Sequence, residues 1–288
     1  MSGFILSVLD QSSVASGRSP AAAVQETLAL ARHVEALGFN RYWCAEHHNS
    51  ASHAGSAPEV LLAAIGATTS RIRIGSAGIM LPHYSPFKVA ETFKLLAALA
   101  PDRIDLGLGR APGTDGRTSY ALQRDRSRRM PVDDFPQNLA EVLAYLGNGL
   151  PEDHPFASLK DTLPTGGGTV EPWLLGSSIE SAAWAAEVGL PYCIADFINS
   201  DGLPQAELYK RHFRPSRWLD KPYLMVASWA IAAPSRAEAE RLAVPARMMF
   251  HHLVRGELIP VPSVEKAENW AATVVDAPQR NRRSILGS

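Results

Sequence analysis

The chain has 288 residues, 46% hydrophobic and 20% charged, ordinary proportions for a folded protein with a sizeable core. Its 28 basic and 29 acidic residues leave a formal charge of −1, which argues against nucleic acid or an anionic membrane as partner. Only Cys44 and Cys193 occur, each in an apolar run, so reduced buried thiols are expected rather than a disulfide framework. No uncharged apolar stretch reaches the roughly 18 residues of a membrane span, and Asp10 follows the first apolar run too soon for a signal peptide. A cytoplasmic protein is expected.

Phe4 to Leu9 reads as the first strand. Over 20–38, Val24, Leu28, Ala31 and Val34 recur at helical spacing and Gly38 stands where a C-cap belongs. Strand two is read over 41–45, and a helix over 58–70 opens on Pro58. Strand three spans 72–81, a helix 86–100 stops at Pro101, and strand four spans 104–108. The basic run from Arg124 to Arg129, broken by Asp125, reads as a solvated loop before a helix over 133–147. Residues 148–170, rich in Pro, Gly and Thr, read as a loop excursion at the barrel mouth. Strand five (172–176) with helix 179–188, strand six (192–198) with helix 203–213, and strand seven (223–233) with helix 237–254 complete seven strand–helix units. In 257–288 the prolines of Ile259-Pro260-Val261-Pro262 spoil a central strand, and no eighth strand is predicted.

Alternation this regular predicts an α/β fold with a parallel sheet and helical crossovers, here one domain over 1–288. Glycine and polar clusters recur after several different strands, which favours a (β/α)₈ barrel over an open doubly wound sheet.

Three clusters could carry chemistry. Ala45-Glu46-His47-His48 ends strand two, and adjacent histidines on a strand point to opposite faces, so one can face the mouth. Glu46, His53 and His83 could add metal ligands, but no H-E-x-x-H spacing is present and no metal is expected. Gly107-Leu108-Gly109-Arg110-Ala111-Pro112-Gly113 departs from the dinucleotide pattern G-x-G-x-x-G and reads either as a phosphate loop with one cation, Arg110, or as a tight surface turn. Gly176-Ser177-Ser178-Ile179-Glu180-Ser181 opens a helix, where hydroxyl residues cap it and can hold an anion against backbone N–H groups.

In order along the chain, Ala45 to Asn49, Gly75 to Pro82, Arg103 to Gly113, Asp134 to Gln137 and Trp173 to Trp184 resemble the bacterial luciferase-like flavin monooxygenases, and within them the short LLM-class oxidoreductases. The resemblance runs from residue 4 to 288. It implies a TIM-type barrel that uses reduced FMN, supplied by a separate reductase, and O₂ to oxidise a small organic substrate. It also implies a homodimer, formed through the helices at 58–70 and 86–100. His47 is similar to the family's active-site histidine. Ala77 and Gly78 match the pair joined by a cis peptide under the flavin ring, Arg110, Ser178 and Ser181 match its phosphate contacts, and Ser177 stands where the luciferase α chain has an acidic residue that makes its contact through backbone. Gly109 replaces the reactive cysteine of the luciferases, which argues against light emission. Family members continue past Ile285-Leu286-Gly287-Ser288 into a helix, an eighth strand and a last helix, so the eighth unit is expected to be missing here. A deazaflavin (F420)-dependent dehydrogenase on the same barrel and an inactive flavin-binding fragment are the alternatives.

Overall fold

The computed structural model describes residues 4–111, 113–127, 133–199, 201–274 and 284–287. The chain divides into two compact units, one built from 1–11, 25–49 and 55–175, the other from 12–24, 50–54 and 176–288.

In the first unit β1 (Ser7–Asp10), β2 (Arg41–Cys44), β3 (Arg73–Met80), β4 (Ile104–Gly109) and β5 (Val170–Gly176) pair in chain order, and every pairing is parallel. Parallel neighbours need crossovers. These are α1 (Pro20–Ala36), α2 (Pro58–Thr68) and α3 (Pro86–Leu99), then α4 (Gly116–Leu122) and α5 (Phe135–Leu146) between β4 and β5. The strands run near-continuously apolar, and Trp43, Ile74, Leu106, Leu108 and Trp173 are fully buried, as are α2 and α3 residues such as Ile65 and Phe93.

Charge is buried at the N-terminal ends of these strands. Asp105 of β4 is fully buried and accepts from Arg41 Nε at 3.0 Å, Arg73 Nε at 2.9 Å and Trp43 Nε1 at 2.9 Å. Glu171 of β5 pairs with the same two arginines, at 3.2 and 3.0 Å. The Arg41 guanidinium also lies 5.0 Å over the Trp173 ring. Gly75 of β3 makes room for this set, since a Cβ there would lie 2.7 Å from Asp105 Cβ and 2.8 Å from Trp43 Nε1.

The segment 148–170 is a packed strap. Leu150, Leu159 and Leu163 join Phe87 and Ala90 of α3 and Tyr145 and Leu146 of α5 in one apolar cluster. Its far end sits on the turn before β4, where a Cβ on Gly167 would lie 2.3 Å from Ala98 N and Thr169 N–H bonds Asp102 Oδ1 at 3.2 Å. Of the apolar residues on the 86–100 helix, Val89, Phe93 and Leu96 are core, while Leu95 and Leu99 are exposed, as is Val60 of α2.

In the second unit α6 (Ile179–Val188) leads to β6 (Tyr192–Ala195), α7 (Leu203–His212) and β7 (Leu224–Ala227), and β6 and β7 pair in parallel. Tyr192 and Tyr209 are its largest fully buried side chains, and burial pushes the Cys193 thiol up to about 12, so it stays a thiol. The Cys44 thiol of the first unit is likewise pushed up by burial.

Several boundaries differ from the sequence reading. The first strand begins at Ser7, and Phe4, Ile5 and Leu6 are exposed outside the ladder. The single strand expected over 223–233 is two, β7 and β8 (Trp229–Ala232), separated at Ser228, whose hydroxyl bonds Asp196 Oδ2 at 3.1 Å. The helix expected over 237–254 is α8 (Arg236–Leu242) and α9 (Val244–Leu253), because Pro245 suits only a first turn. The sequence reading also missed α4, α10 (Val264–Thr273) and β9 (Ser284–Gly287). β9 pairs in parallel with β8 as a separate two-stranded sheet, so the stretch where no eighth strand was expected does form a strand, but not as an eighth member of the main ladder. Pro112, Arg128, Arg129, residues 130–132 and Ser288 lie outside the described residues.

Candidate active site

The polar clusters singled out from sequence all stand at C-terminal strand ends, where parallel α/β folds place their chemistry. β2 ends at Cys44, and the turn Ala45–Asn49 follows it. His47 is half-buried, and its backbone N–H bonds Gly55 O at 2.9 Å. His48 has a different environment. Its Nε2 lies 2.7 Å from Glu46 Oε1, and its ring meets His83 edge to face at 6.0 Å.

Glu46, read from sequence only as a possible metal ligand, is fully buried. Its Oε1 also accepts from Tyr84 OH at 3.0 Å and its Oε2 from Met80 N–H at 3.0 Å. Burial first, then the Glu46 charge, raises the Tyr84 phenol far above its ordinary value, so it remains a donor. Nearby, the Glu59 carboxyl of α2 is pushed above the usual carboxylate range, by burial first and then by Glu46. Among the described residues no His/Cys/Asp/Glu cluster could hold a metal ion.

On β3 the peptide between Ala77 and Gly78 is cis, at the pair the sequence resemblance marked. The β3–β4 register shifts between Ser76 and Ile79, and Ser76 Oγ donates to Gly107 O at 2.8 Å. Two glycines allow this approach: a Cβ on Gly78 would lie 2.8 Å from Gly107 O, and one on Gly107 only 2.1 Å from Ser76 O.

After β4, Arg110 is exposed and pairs with Asp133 at 3.3 Å. The loop then folds back on the β2 turn. Gly113, with φ of +61°, accepts from His48 N–H at 3.4 Å, Thr114 Oγ1 donates to His48 O at 3.0 Å, and Asn49 Nδ2 donates to Asp115 Oδ2 at 3.1 Å. Asp115 caps α4 through Arg117 N and Thr118 N, and the Thr118 bonds hold its carboxyl far below the ordinary range.

In the second unit Gly176, Ser177 and Ser178 lead into α6. Ser178 Oγ caps the helix by accepting from Ser181 N at 3.3 Å. Ser181 is buried, its hydroxyl donating to Ser178 O at 2.8 Å and lying 2.9 Å from Tyr192 OH. Gln205 Nε2 fixes Ser177 through its carbonyl at 2.9 Å. Gly176 is required here, since a Cβ would lie 2.3 Å from Ser181 Oγ.

The family model for luciferase-like monooxygenases matches residues 2–284. The chain belongs to the luciferase-like monooxygenase family. Its relatives include a luciferase-like monooxygenase of Escherichia coli, 41% identical over 92% of this chain and 78% of that protein. Another is the N-acetyl-S-alkylcysteine monooxygenase of Bacillus subtilis, 39% identical over 94% and 80%. Among solved structures, apo-MsnO8 superposes with a TM-score of 0.87 at 36% identity, covering 98% of this chain and 84% of that one. Two more distant structures share the fold. One is the oxygenating constituent of 3,6-diketocamphane monooxygenase of Pseudomonas putida with FMN (TM-score 0.66, 20% identity, 87% and 74% coverage). The other is an F420-dependent secondary alcohol dehydrogenase (TM-score 0.59, 15% identity, 98% and 85% coverage). The fold is therefore the α/β, TIM-type barrel of the luciferase-like family, and no helix of the described residues is long and apolar enough to cross a membrane.

Proposed function

We propose that this chain is an FMN-dependent monooxygenase that uses reduced flavin and O₂ to oxidise a small organic substrate. The observation that carries this reading, beside family membership, is the first turn of α6: a glycine-opened, serine-capped helix start at the end of β5. Its first amides have no helical carbonyl to bond, and with two hydroxyls they suit a phosphate. Bound FMN would supply the redox chemistry with oxygen.

The chain's own residues would bind, orient and shield it. Ser177, Ser178 and Ser181 would hold the phosphate, Ser181 only after turning its single hydroxyl proton away from Ser178 O. Arg110 would add a charge-assisted bond after yielding its exposed partner Asp133. Ala77 and Gly78 would lie against the ring, and His47 would act as acid–base or hydrogen-bond donor at the reacting end. A separate flavin reductase would supply the reduced cofactor in the cytoplasm. The protein would work as a homodimer whose exposed apolar contacts include Val60, Leu95 and Leu99.

The test is to titrate the protein with FMN and with F420, following absorbance and fluorescence. Reduced FMN, air and an N-acetyl-S-alkylcysteine probe are then supplied, chosen because the B. subtilis relative is named for that class. Tight FMN binding and a product heavier by one oxygen support the reading. Binding of F420 with no oxygen-dependent product replaces it with a dehydrogenase.

A further inference from the structure

We propose that Glu46 is a positioning residue for the His47 turn, acting through the strand end that carries the Ala77–Gly78 peptide. The proposal rests on the flavin reading for the role of His47, but its geometry stands apart from it.

A carboxylate with no solvent exposure is costly to bury unless every lone pair it turns inward finds a donor. Glu46 meets that condition with three donors from three places: His48 Nε2 on its own turn, Met80 N–H at the last residue of β3, and Tyr84 OH beyond the following 3₁₀ turn at Leu81–His83. One side chain thus fastens the end of β2 to the end of β3. His47 is its next neighbour in the chain, and Gly78 precedes Met80 by two residues. The β4 loop closes on the same segment: a Cβ on Gly113 would lie 3.0 Å from Glu46 O, so a glycine is what lets the loop come this near.

The contact also holds His48, whose Nε2 lies 2.7 Å from Glu46 Oε1. His48 is thereby committed to the protein interior, with 13% of its side chain exposed, while the adjacent His47 does not share that bond. A neutral apolar residue at 46 would fill the space but leave Met80 N–H and Tyr84 OH without this acceptor and the turn without its tie.

The test uses Glu46→Gln, which keeps the shape and removes the charge. In flavin-free protein, imidazole nitrogen NMR signals of His47 and His48 are assigned by their loss in His47→Gln and His48→Gln. Positioning requires that Glu46→Gln shift both, with the melting temperature held within a few degrees. With reduced FMN bound, the rate of its reoxidation by dissolved O₂ should change at least fivefold, while FMN affinity stays within threefold. Unchanged His47 signals, or a reoxidation rate within twofold of wild type in a folded variant, overturn the proposal. Should Glu46→Gln not fold, Tyr84→Phe removes one donor and is read the same way, with a smaller shift expected and none overturning it. Failure of the flavin reading shows separately, as wild-type protein that binds no FMN.

Discussion

The two ends of the β2–β4 ladder both bury a carboxylate, and they use it differently. At the N-terminal ends, Asp105 sits between two arginines and a tryptophan N–H, with Glu171 closing the pairing from the next strand. Positive charge balances it. At the C-terminal ends, the donors to Glu46 are an imidazole, a phenol and a backbone amide. Ion pairing in the first case makes a rigid base, since guanidinium and carboxylate geometries interlock. The second arrangement uses its hydrogen bonds to aim a turn. Burial of a charge says little until its partners are known: two arginines balance Asp105, whereas Glu46 is held by an imidazole, a phenol and a backbone amide.

The largest effect should come from breaking the base. Asp105→Ala strands Arg41 and Arg73 around an emptied position, and losing one member of a buried ion cluster costs about 3–5 kcal/mol. Urea unfolding should show that loss, with FMN affinity of the folded protein unchanged. A loss under about 1 kcal/mol, the scale of an exposed pair, would mean that water or Glu171 replaces Asp105, and that the two ends are more alike than their partners suggest.

Next come the paired histidines. His47→Ala should lower oxygenation by roughly 10²–10⁴-fold, the range of acid–base catalysis, with little change in stability. His48→Ala should behave oppositely, destabilising by about 1–3 kcal/mol because it removes one of the three donors to buried Glu46. Equal losses of turnover in variants of equal stability would erase the distinction.

Arg110→Ala sharpens the contrast between supporting and ligand-facing arginines. It should weaken FMN binding at least about tenfold, equivalent to roughly 1.4 kcal/mol, and leave the unfolding midpoint unmoved, since its Asp133 pair is exposed. Calorimetric titration measures the first and thermal melting the second. Full affinity in the variant would take Arg110 out of the phosphate site.

The smallest effect is a pH dependence at the C-terminal end. Glu59 Oε2 is buried and has no hydrogen-bond partner among the described residues. Burial, followed by the Glu46 charge, raises its pKa. Between the ordinary carboxylate pKa and the raised one, the folded protein keeps a proton that the unfolded chain has released, so this group's contribution to stability falls as pH rises. Glu59→Gln removes that dependence. Its stability relative to wild type should improve as pH rises above the ordinary carboxylate pKa of about 4, read from denaturant midpoints. A constant difference as pH rises would mean Glu59 ionises normally.

The sequence by itself determined the alternation of strands and helices and the order of the polar clusters. Both are local: an apolar run of strand length, a helix with 3.6-residue periodicity, a proline or glycine at each end. α6 was legible to the residue because Ser178 and Gly189 bracket it as caps. The ordered motifs marked His47, Arg110 and the Ser177–Ser181 turn, which follow the ends of β2, β4 and β5, and Ala77 and Gly78, which lie within β3. The roles of Glu46, Tyr84, Asp105, Arg41, Arg73 and Glu171 were decided only by the tertiary structure. Asp105 between Ile104 and Leu106 was a visible anomaly, a charge inside an apolar strand, but its partners lie 32, 62 and 64 residues away along the chain. Glu46 and Tyr84 are 38 residues apart. The pairing of Ser284–Gly287 with Trp229–Ala232 is equally non-local. What a buried charge costs depends on whatever the fold brings within about 3 Å of it, and strand register, not residue spacing, sets that distance.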